Sequence, residues 1–396
     1  MEQQNTTINP DEILEMASEA GHVLLENGAE ISRVEDTMER IATHYGVRSG
    51  HFFVLSNGIF TTSSQNRYAK VEFIPIRAIQ LSKVVEINRL SYRIAAGGLT
   101  VAQARAQLEK IKSAPAKPAW EQIAGAAFGA AGFCAVFGGG FTDCAVDFVI
   151  GALLYMFCLF ISGPRMSKIV SGICNALAAT LLCIASYKAG FGNSLSNIII
   201  GAIMPLIPGV PFVNGVRDLA DSDYIAGMTR LTDAMLGFFC IALGVGIGFM
   251  LDGFVSEGMI HLSGMTVDAA TAGLGWQTIA AFIGTLAFAI LFGVPRRQYL
   301  PCGIIGAIGW AAFLMLTRDA GVSSFAGITL ASMLICILSR IVAVIDKCPS
   351  TVYLLCGIFP LVPGAGIFWF TYYLVSSHFH MSAMTGYTAV TAAVAI

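Results

Sequence analysis

Hydrophobic residues follow two different patterns along this chain, and the change falls near residue 118. Over residues 1–118 the apolar positions recur at helical spacing or alternate, whereas residues 119–396 contain long, nearly uninterrupted apolar stretches. A stretch of about 20 apolar residues is long enough to cross a bilayer as a helix. The pattern therefore predicts a small water-exposed domain followed by a helical membrane domain.

Residues 1–118 have the alternation of helical and strand patterns that is typical of a small α+β domain. Apolar stripes of helical period predict helices beginning at Pro10, over Ile31 to Tyr45, near 79–96 and near 100–113. Apolar or alternating segments predict strands near 51–56, 58–63 and 70–76. Thr100 and Gln103 fit a capping box at the start of the last helix. Residues 114–118 (APAKP) then read as a stiff linker.

Ten apolar segments of membrane length follow the linker. They lie at about 120–141, 144–163, 168–188, 194–213, 227–251, 276–294, 299–317, 321–344, 350–376 and 382–396. Ten transmembrane helices are therefore predicted. The tenth segment has only about 15 residues, so we expect a partial span or a truncated chain.

The membrane part aligns with itself when it is shifted by 155 residues. Pro205 to Gly209 (PLIPG) then falls on Pro360 to Gly364 (PLVPG), and Phe133 falls on Phe288. A constant offset that includes a proline pair predicts an internal repeat with units at residues 119–251 and 252–396. Each unit contains five spans, and an odd number places the second unit in the membrane upside down. The sequence therefore predicts a 5+5 inverted repeat, a feature of secondary transporters.

The matching Pro–Gly sequences predict a broken helix in the fourth and ninth spans. Proline removes a backbone donor and clashes with the preceding turn. The freed backbone groups near mid-membrane need a partner, which can be substrate, an ion or water. The predicted broken-helix substrate site comprises Pro205, Pro208, Gly209, Pro360, Pro363 and Gly364. The alternative is a pair of proline kinks that serve only packing.

A few polar side chains inside or next to the spans extend this candidate site. Asp147 and Asp233 lie within the second and fifth spans, where a carboxyl group is a candidate carrier of a coupling proton. Both are near span ends, so interfacial carboxylates are the alternative. Asn175 and Asn214 are candidate substrate contacts, although helix–helix hydrogen bonding explains Asn175 equally well.

Composition narrows the class of function. Charged residues make up 12% of the chain, against about 25% in soluble domains, and residues 1–118 hold 26 of the 48 charged residues. The net charge of −2 favours no nucleic-acid partner. All ten cysteines follow residue 118 without a CxxC pair, so we expect no disulfide framework, no metal site and no cofactor.

The distribution of basic residues predicts the orientation. With the N-terminal domain in the cytoplasm, eight Lys and Arg residues fall in inner loops and two, Lys188 and Arg318, in outer loops. This excess follows the positive-inside rule. The first 30 residues are polar and acidic, so we expect no signal peptide. The predicted location is the inner membrane of the cell, with multiple passes.

The N-terminal domain offers little sign of chemistry. His22, Glu26 and Glu30 stand at helical spacings and could bind a metal or move protons, but a solvated helix face is the simpler interpretation. The domain contains neither a GxSxG nucleophile motif nor a phosphate-binding loop. We therefore expect a protein that is not an enzyme. A membrane-anchored enzyme or sensor acting through residues 1–118 is the alternative.

Several motifs resemble those of the threonine/serine exporter family. The opening motif is Gly28-Ala29-Glu30, Arg33-Val34-Glu35 and Met38, and it is followed by Phe53 to Ser63 and by Gly98-Leu99-Thr100 through Ala104 and Leu108. The motif after the fourth span is Pro208-Gly209, Asn214, Arg217-Asp218, Asp223, Gly227 and Arg230. The resemblance covers nearly the whole chain in order. It marks Glu30, Arg33, Glu35, Arg217, Asp218 and Arg230 as motif residues.

The resemblance implies a cytoplasmic N-terminal domain followed by ten spans. It implies an antiporter that exports threonine and serine, driven by the proton motive force. Its implied partners are a small-molecule substrate, the lipid bilayer, a coupling proton and a second copy of the chain. Related members that are split over two chains are linked to export of dicarboxylates such as succinate, so a dicarboxylate exporter is the alternative.

Overall fold

The computed structural model describes residues 9–48, 50–64, 68–74, 79–255 and 273–396. The chain is mostly helical and divides into two compact units. The first unit comprises Met1–Ala116, Val210–Asp233 and Lys347–Pro349, and the second comprises Lys117–Gly209, Ala234–Asp346 and Ser350–Ile396. The N-terminal domain thus shares its unit with a short stretch from the middle of the chain.

The first unit contains the predicted α+β domain. Its elements are α1 (Pro10–Glu26), α2 (Ile31–His44), β1 (Gly50–Leu55), β2 (Gly58–Ser63), β3 (Tyr68–Phe73), α3 (Leu81–Ala95) and α4 (Val101–Lys112). The Asn9 side chain accepts a hydrogen bond from the Asp11 amide and begins α1. The capping box predicted for Thr100 and Gln103 is confirmed at α4. The third strand begins two residues before the predicted 70–76, and residues 75–78 lie outside the described residues.

The three strands form an antiparallel sheet in the order β1-β2-β3, with Phe53 opposite Phe60. One face packs on α1 and α2. There the Thr61 hydroxyl lies 2.6 Å from that of Ser18 in a buried hydrogen bond, and Ile59 is buried beside Met38. The helices and this face of the sheet therefore enclose one hydrophobic core.

The rest of the chain is helical throughout its described residues. The helices are α5 (Ala119–Val136), α6 (Phe141–Phe157), α7 (Gly163–Arg165), α8 (Lys168–Lys188), α9 (Leu195–Ile203), α10 (Gly209–Ala220), α11 (Tyr224–Val255), α12 (Leu274–Leu291), α13 (Tyr299–Leu314), α14 (Ser324–Asp346), α15 (Ser350–Gly357), α16 (Gly364–Val375) and α17 (Phe379–Ala395). The non-helical residues 114–118 separate α4 from α5, as predicted for a linker.

Seven helical segments of the described chain are long and apolar enough to cross a membrane, and α9 with α10 makes an eighth if the bent pair is one span. These eight coincide with eight of the ten predicted spans. The other two predicted spans correspond to α5 and α17, which have 18 and 17 residues. Helix α5 is as long as α12 but less apolar, and α17 is shorter than either. Ten spans therefore stay a prediction.

The bounds of the helices recur along the chain. Helix α12 begins and ends 155 residues after α5, and the same offset separates α10 from α16. The packing is reciprocal as well. Gly129 packs against Phe288, and Gly284, which is the counterpart of Gly129, packs against Phe133. Reciprocal contacts of this kind indicate a local two-fold axis between α5 and α12.

The counterpart helices α5 and α12 run antiparallel. Gly125 packs against Ile290 near the start of α5, and Gly132 packs against Gly284 further along. Residues further along α5 therefore contact residues nearer the start of α12, as in an antiparallel pair. These two helices, which are related by the 155-residue offset, thus point in opposite directions.

Candidate functional site

Both Pro–Gly sequences interrupt a helix with the same turn. Helix α9 is followed by a 3-10 turn over Met204–Leu206, and α15 by one over Phe359–Leu361. The Gly209 amide then donates to the carbonyl of Ile207 at 2.8 Å, and the Gly364 amide to that of Val362 at 2.7 Å. A bond between residues two apart closes a γ-turn around each proline. The helix breaks predicted at these positions are therefore present.

The two breaks pack against each other through Gly209 and Gly364. A Cβ atom on Gly209 would lie 2.5 Å from the ring of Phe359. A Cβ atom on Gly364 would lie 2.5 Å from Cδ1 of Ile207 and 2.7 Å from the sulfur of Met204. Any larger residue must displace the opposite break, because contacts this short are repulsive.

Asp147 lies on α6 beside the first broken span. It is 0% exposed, and neither carboxyl oxygen accepts an N–H or hydroxyl hydrogen bond among the described residues, although the Cys134 thiol lies beside it. It lies against Gly201 of α9, where a Cβ atom would collide with the carboxyl group. Asp233 differs, since it is half-buried and belongs to the first unit. Asp147, one of the two predicted proton carriers, therefore lies against the first broken span.

Asn175 occupies the buried face of α8. Its side-chain nitrogen donates to the Ser171 hydroxyl at 3.3 Å, and its side-chain oxygen has no partner among the residues that the structure describes. Ser171 and Asn175 both belong to α8, so this bond lies within one helix and does not join two helices. The side-chain oxygen is left as an acceptor for a ligand.

Motif residues that are far apart in the sequence come together in the first unit. The carboxylate of Glu30 is 1% exposed and accepts a bond of 2.8 Å from Nε of Arg33. Arg217, from α10, lies 3.4 Å from the same carboxylate. A buried carboxylate needs such partners because its charge has lost the solvation of water.

Asp218 and Arg230 complete the arrangement. One carboxyl oxygen of Asp218 accepts from the Ile31 amide at 3.3 Å, and the other from Nη1 of Arg230 at 2.7 Å. Nη2 of Arg230 donates to the Ala29 carbonyl at 2.8 Å. The residue at the N-cap of α2, Glu30, makes no capping bond itself. Asp218 therefore supplies the cap and faces the positive end of the helix dipole.

Asn214 reaches the same turn, with its side-chain nitrogen 2.9 Å from the Gly28 carbonyl. The predicted substrate contact Asn214 thus lies among the residues that hold the turn between α1 and α2. We call this set the motif cluster. It consists of Gly28, Ala29, Glu30, Ile31, Arg33, Asn214, Arg217, Asp218 and Arg230.

The solvated helix face considered for His22, Glu26 and Glu30 is wrong for Glu30. Glu30 lies beyond the end of α1 and is buried in ion pairs. His22 instead faces Glu72 of β3, with 2.8 Å between Nδ1 and Oε1. Among the described residues no group of three His, Cys, Asp or Glu side chains could hold a metal ion.

Two acids next to the motif cluster, Glu35 and Asp223, have raised pKa values. Burial raises the pKa of the Glu35 carboxyl, and the charge of Asp223 raises it further, although a bond from the Val54 amide opposes the shift. Burial and then the charge of Asp221 raise the pKa of Asp223. Both side chains therefore hold a proton more readily than free carboxylic acids do.

Comparison with known families decides the identity of the chain. Residues 15–252 match the family model described as "Putative threonine/serine exporter", and residues 277–396 match the model described as "Threonine/Serine exporter, ThrE". The chain belongs to the threonine/serine exporter family. Membership in this family makes it a membrane transport protein, and the resemblance of its motifs is confirmed.

Individual relatives of this family member are distant. It is 22% identical to the "Probable threonine/serine exporter" of Mycobacterium tuberculosis, over 90% of this chain and 69% of that protein. It is 26% identical to an uncharacterized protein of Schizosaccharomyces pombe and 25% identical to "Pheromone-regulated membrane protein 10" of Pichia sorbitophila. These matches cover 58% and 45% of this chain, but only 28% and 18% of the fungal proteins. No solved structure matches the chain.

Proposed function

We propose that this family member is a proton-driven antiporter that exports threonine and serine across the inner membrane. In this proposal residues 1–118 form a cytoplasmic domain, and residues 119–251 and 252–396 are the two units of a 5+5 inverted repeat. The observation that carries the proposal is the pair of Pro–Gly breaks, packed against each other between helices of membrane length. Paired broken helices at a repeat interface are typical of the substrate sites of secondary transporters.

The direction of α5 and α12 supports an inverted repeat. A two-fold axis along the membrane normal leaves counterpart helices parallel, whereas an axis in the membrane plane reverses them. Helices α5 and α12 run antiparallel, as their glycine contacts require. If both cross the bilayer, the axis lies in its plane. Alternating access then follows from rocking of one repeat unit against the other around the breaks.

The charge pattern at each break suits a zwitterion. Helices α10 and α16 begin at Gly209 and Gly364, so their partly positive N-terminal ends face the breaks. Helices α9 and α15 end just before the breaks, and their carbonyl ends carry partial negative charge. An α-amino acid offers one carboxylate and one ammonium group to match. A dicarboxylate would leave the carbonyl ends of α9 and α15 without a positive partner, so we favour threonine and serine.

Asp147 is the proposed carrier of the coupling proton. The charged form of a buried carboxyl group without a partner is costly, and binding a proton removes that cost. Asp147 also touches Gly201 in the half-helix that ends at the first break. Gain and loss of the proton can thereby act on the position of α9. Asp233 is the second candidate.

Efflux from loaded cells tests this function. Cells that do or do not express the chain are loaded with threonine- or serine-containing dipeptides, and external amino acid is followed with and without an uncoupler. We expect faster efflux that the uncoupler abolishes. If amino-acid efflux is unchanged while the protein is present in the membrane, the threonine and serine assignment is wrong. Faster succinate efflux in the same cells would favour the dicarboxylate exporter.

A further inference from the structure

The turn between α1 and α2 is held by side chains that belong to α10 and α11. Asp218 caps α2 through the Ile31 amide, Asn214 binds the Gly28 carbonyl, and Arg230 binds the Ala29 carbonyl. At the edge of the motif cluster the Ser32 hydroxyl donates to a carboxyl oxygen of Asp221 at 3.3 Å. The N-terminal domain is therefore bound to α10, α11 and the residues between them through both its backbone and its side chains.

Residues 210–233 carry these side chains and directly follow the first break. Helix α10 begins at Gly209, where the helix resumes after the break, and carries Asn214 and Asp218. The division between the two compact units falls between Gly209 and Val210. Residues 210–233 consequently belong to the unit of the N-terminal domain, while α9 belongs to the other unit.

We propose that residues 210–233 and the N-terminal domain move as one body when the first break changes shape, and that Asp218 and Arg230 are the positioning residues that fasten them together. This inference rests on the transport function proposed above. The N-terminal domain is then a working part of the transporter, because any swing of α10 about the break carries the domain with it.

The energetics of the motif cluster favour joint movement over separation. Separation would take Arg217 away from the Glu30 carboxylate, whose side chain is 1% exposed, and a buried charge that loses a partner is costly. Separation would also remove the cap of α2 and two backbone hydrogen bonds. Joint movement breaks none of these contacts.

A cross-link tests whether the two parts separate during the cycle. Ser32→Cys and Asp221→Cys are introduced together, because the two native side chains touch, and the two single variants serve as controls. Mass spectrometry of the oxidised full-length protein measures the linked peptide, independently of transport. We expect a high yield of the link and efflux within about twofold of the oxidised single variants. No link between cysteines that react freely with a maleimide would overturn the motif cluster. Loss of efflux on oxidation, with recovery on reduction, would overturn joint movement.

A rescue experiment tests the fastening role of Arg230. Arg230→Gln is expected to lower efflux at least fivefold at equal membrane level, and to raise amide hydrogen exchange at the start of α2 at least tenfold. Adding the cysteine pair and oxidising it should restore at least half of the efflux, since a covalent bond then replaces the contact of Arg230 with the Ala29 carbonyl. Efflux that stays low despite complete cross-linking would overturn the fastening role.

Arg89→Gln is the matched control, because Arg89 forms an exposed ion pair of 2.8 Å with Glu86 in the same domain. It should change neither hydrogen exchange at the start of α2 nor efflux. Unchanged exchange in Arg230→Gln would overturn the inference itself. Raised exchange in Arg230→Gln, combined with a wild-type protein that moves no amino acid, would instead overturn the proposed transport function.

Discussion

The two broken spans share one turn and differ in what surrounds it. At the first break the helix pair bends by 61°, and α10 carries Arg217 and Asp218. At the second break the 26 residues of Ser350–Val375 have the length and apolar character of a single membrane span. Helix α16 carries no charged residue and places Phe368, Trp369, Tyr372 and Tyr373 in a buried aromatic group. The backbone turn is thus the same at both breaks, whereas charged residues follow the first break on α10.

The side chains facing the breaks differ in the same sense. Asp147 corresponds by the 155-residue offset to Cys302, and Gly201 corresponds to Cys356. Cys302 is buried, and its thiol donates to the Val352 carbonyl at 3.8 Å. The half-helix before the first break thus lies against a buried carboxyl group, whereas the half-helix before the second break accepts a hydrogen bond from a thiol. We expect the first break to respond to protons and the second to provide a packed support.

The largest difference in efflux is expected between substitution of Asp147 and substitution of Cys302 at the equivalent position. Asp147→Asn removes the proposed proton carrier while keeping the size of the side chain, so uncoupler-sensitive efflux should fall at least a hundredfold. Cys302→Ser at the equivalent position should keep efflux within about threefold of wild type. The measurement is efflux of threonine at equal protein level in the membrane. Equal effects of both changes would remove the functional difference between the breaks.

Loss of the buried ion pair between Asp218 and Arg230 should lower the stability of the protein more than loss of an exposed ion pair. Arg230→Gln leaves Asp218 buried without its partner, which typically costs about 3–5 kcal/mol. Arg89→Gln breaks an exposed pair, which is worth about 0–1 kcal/mol. The unfolding midpoint of the purified full-length protein is expected to fall clearly in the first variant only. A shift of equal size in both variants would contradict the buried character of the motif cluster.

Adding one methyl group tests the close approach of the first broken span. Gly201→Ala would press a Cβ atom into the Asp147 carboxyl group, and such overpacking typically costs about 1–3 kcal/mol. Gly275→Ala is the control on α12, since a Cβ atom there meets nothing within 4 Å. We expect the first change to lower efflux about tenfold and the second to have no effect. Normal efflux in Gly201→Ala would place Asp147 away from α9.

The smallest expected effect is on the pH dependence of stability near the motif cluster. Because the folded state raises the pKa of Glu35 above its ordinary value of 4.5, protonated Glu35 favours folding. That contribution is complete below the ordinary pKa and is lost as the pH rises through the raised pKa. Thermal unfolding of the full chain should therefore show Glu35→Gln gaining stability relative to wild type as the pH rises through this range. A constant difference between the two proteins would contradict the raised pKa.

The sequence predicted what depends on local chemistry. The start of α1 at Pro10, the cap at Thr100 and the helix breaks at Pro208 and Pro363 are governed by residues within a few positions of each other. Spans of strong apolar character were found for the same reason. Helix α5 was predicted as a span although its many Gly and Ala residues carry less apolar surface than Leu or Ile.

Features that depend on distant residues were not predicted. The cap of α2 comes from Asp218, 187 positions away from Ile31, and periodicity carries no signal for such a pairing. Gly201 was also missed, because a glycine within an apolar segment gives no sign that a carboxyl group lies against it. The family resemblance marked the motif residues, but a resemblance does not say which of them are in contact.

Proton movement coupled to threonine is the most direct test of the central claim. Purified protein is placed in liposomes that contain a pH-sensitive dye, and an outward threonine gradient is imposed without a pH gradient. The account predicts that threonine efflux drives protons into the liposomes with the wild-type protein and not with Asp147→Asn. Threonine efflux without any change in internal pH would contradict it.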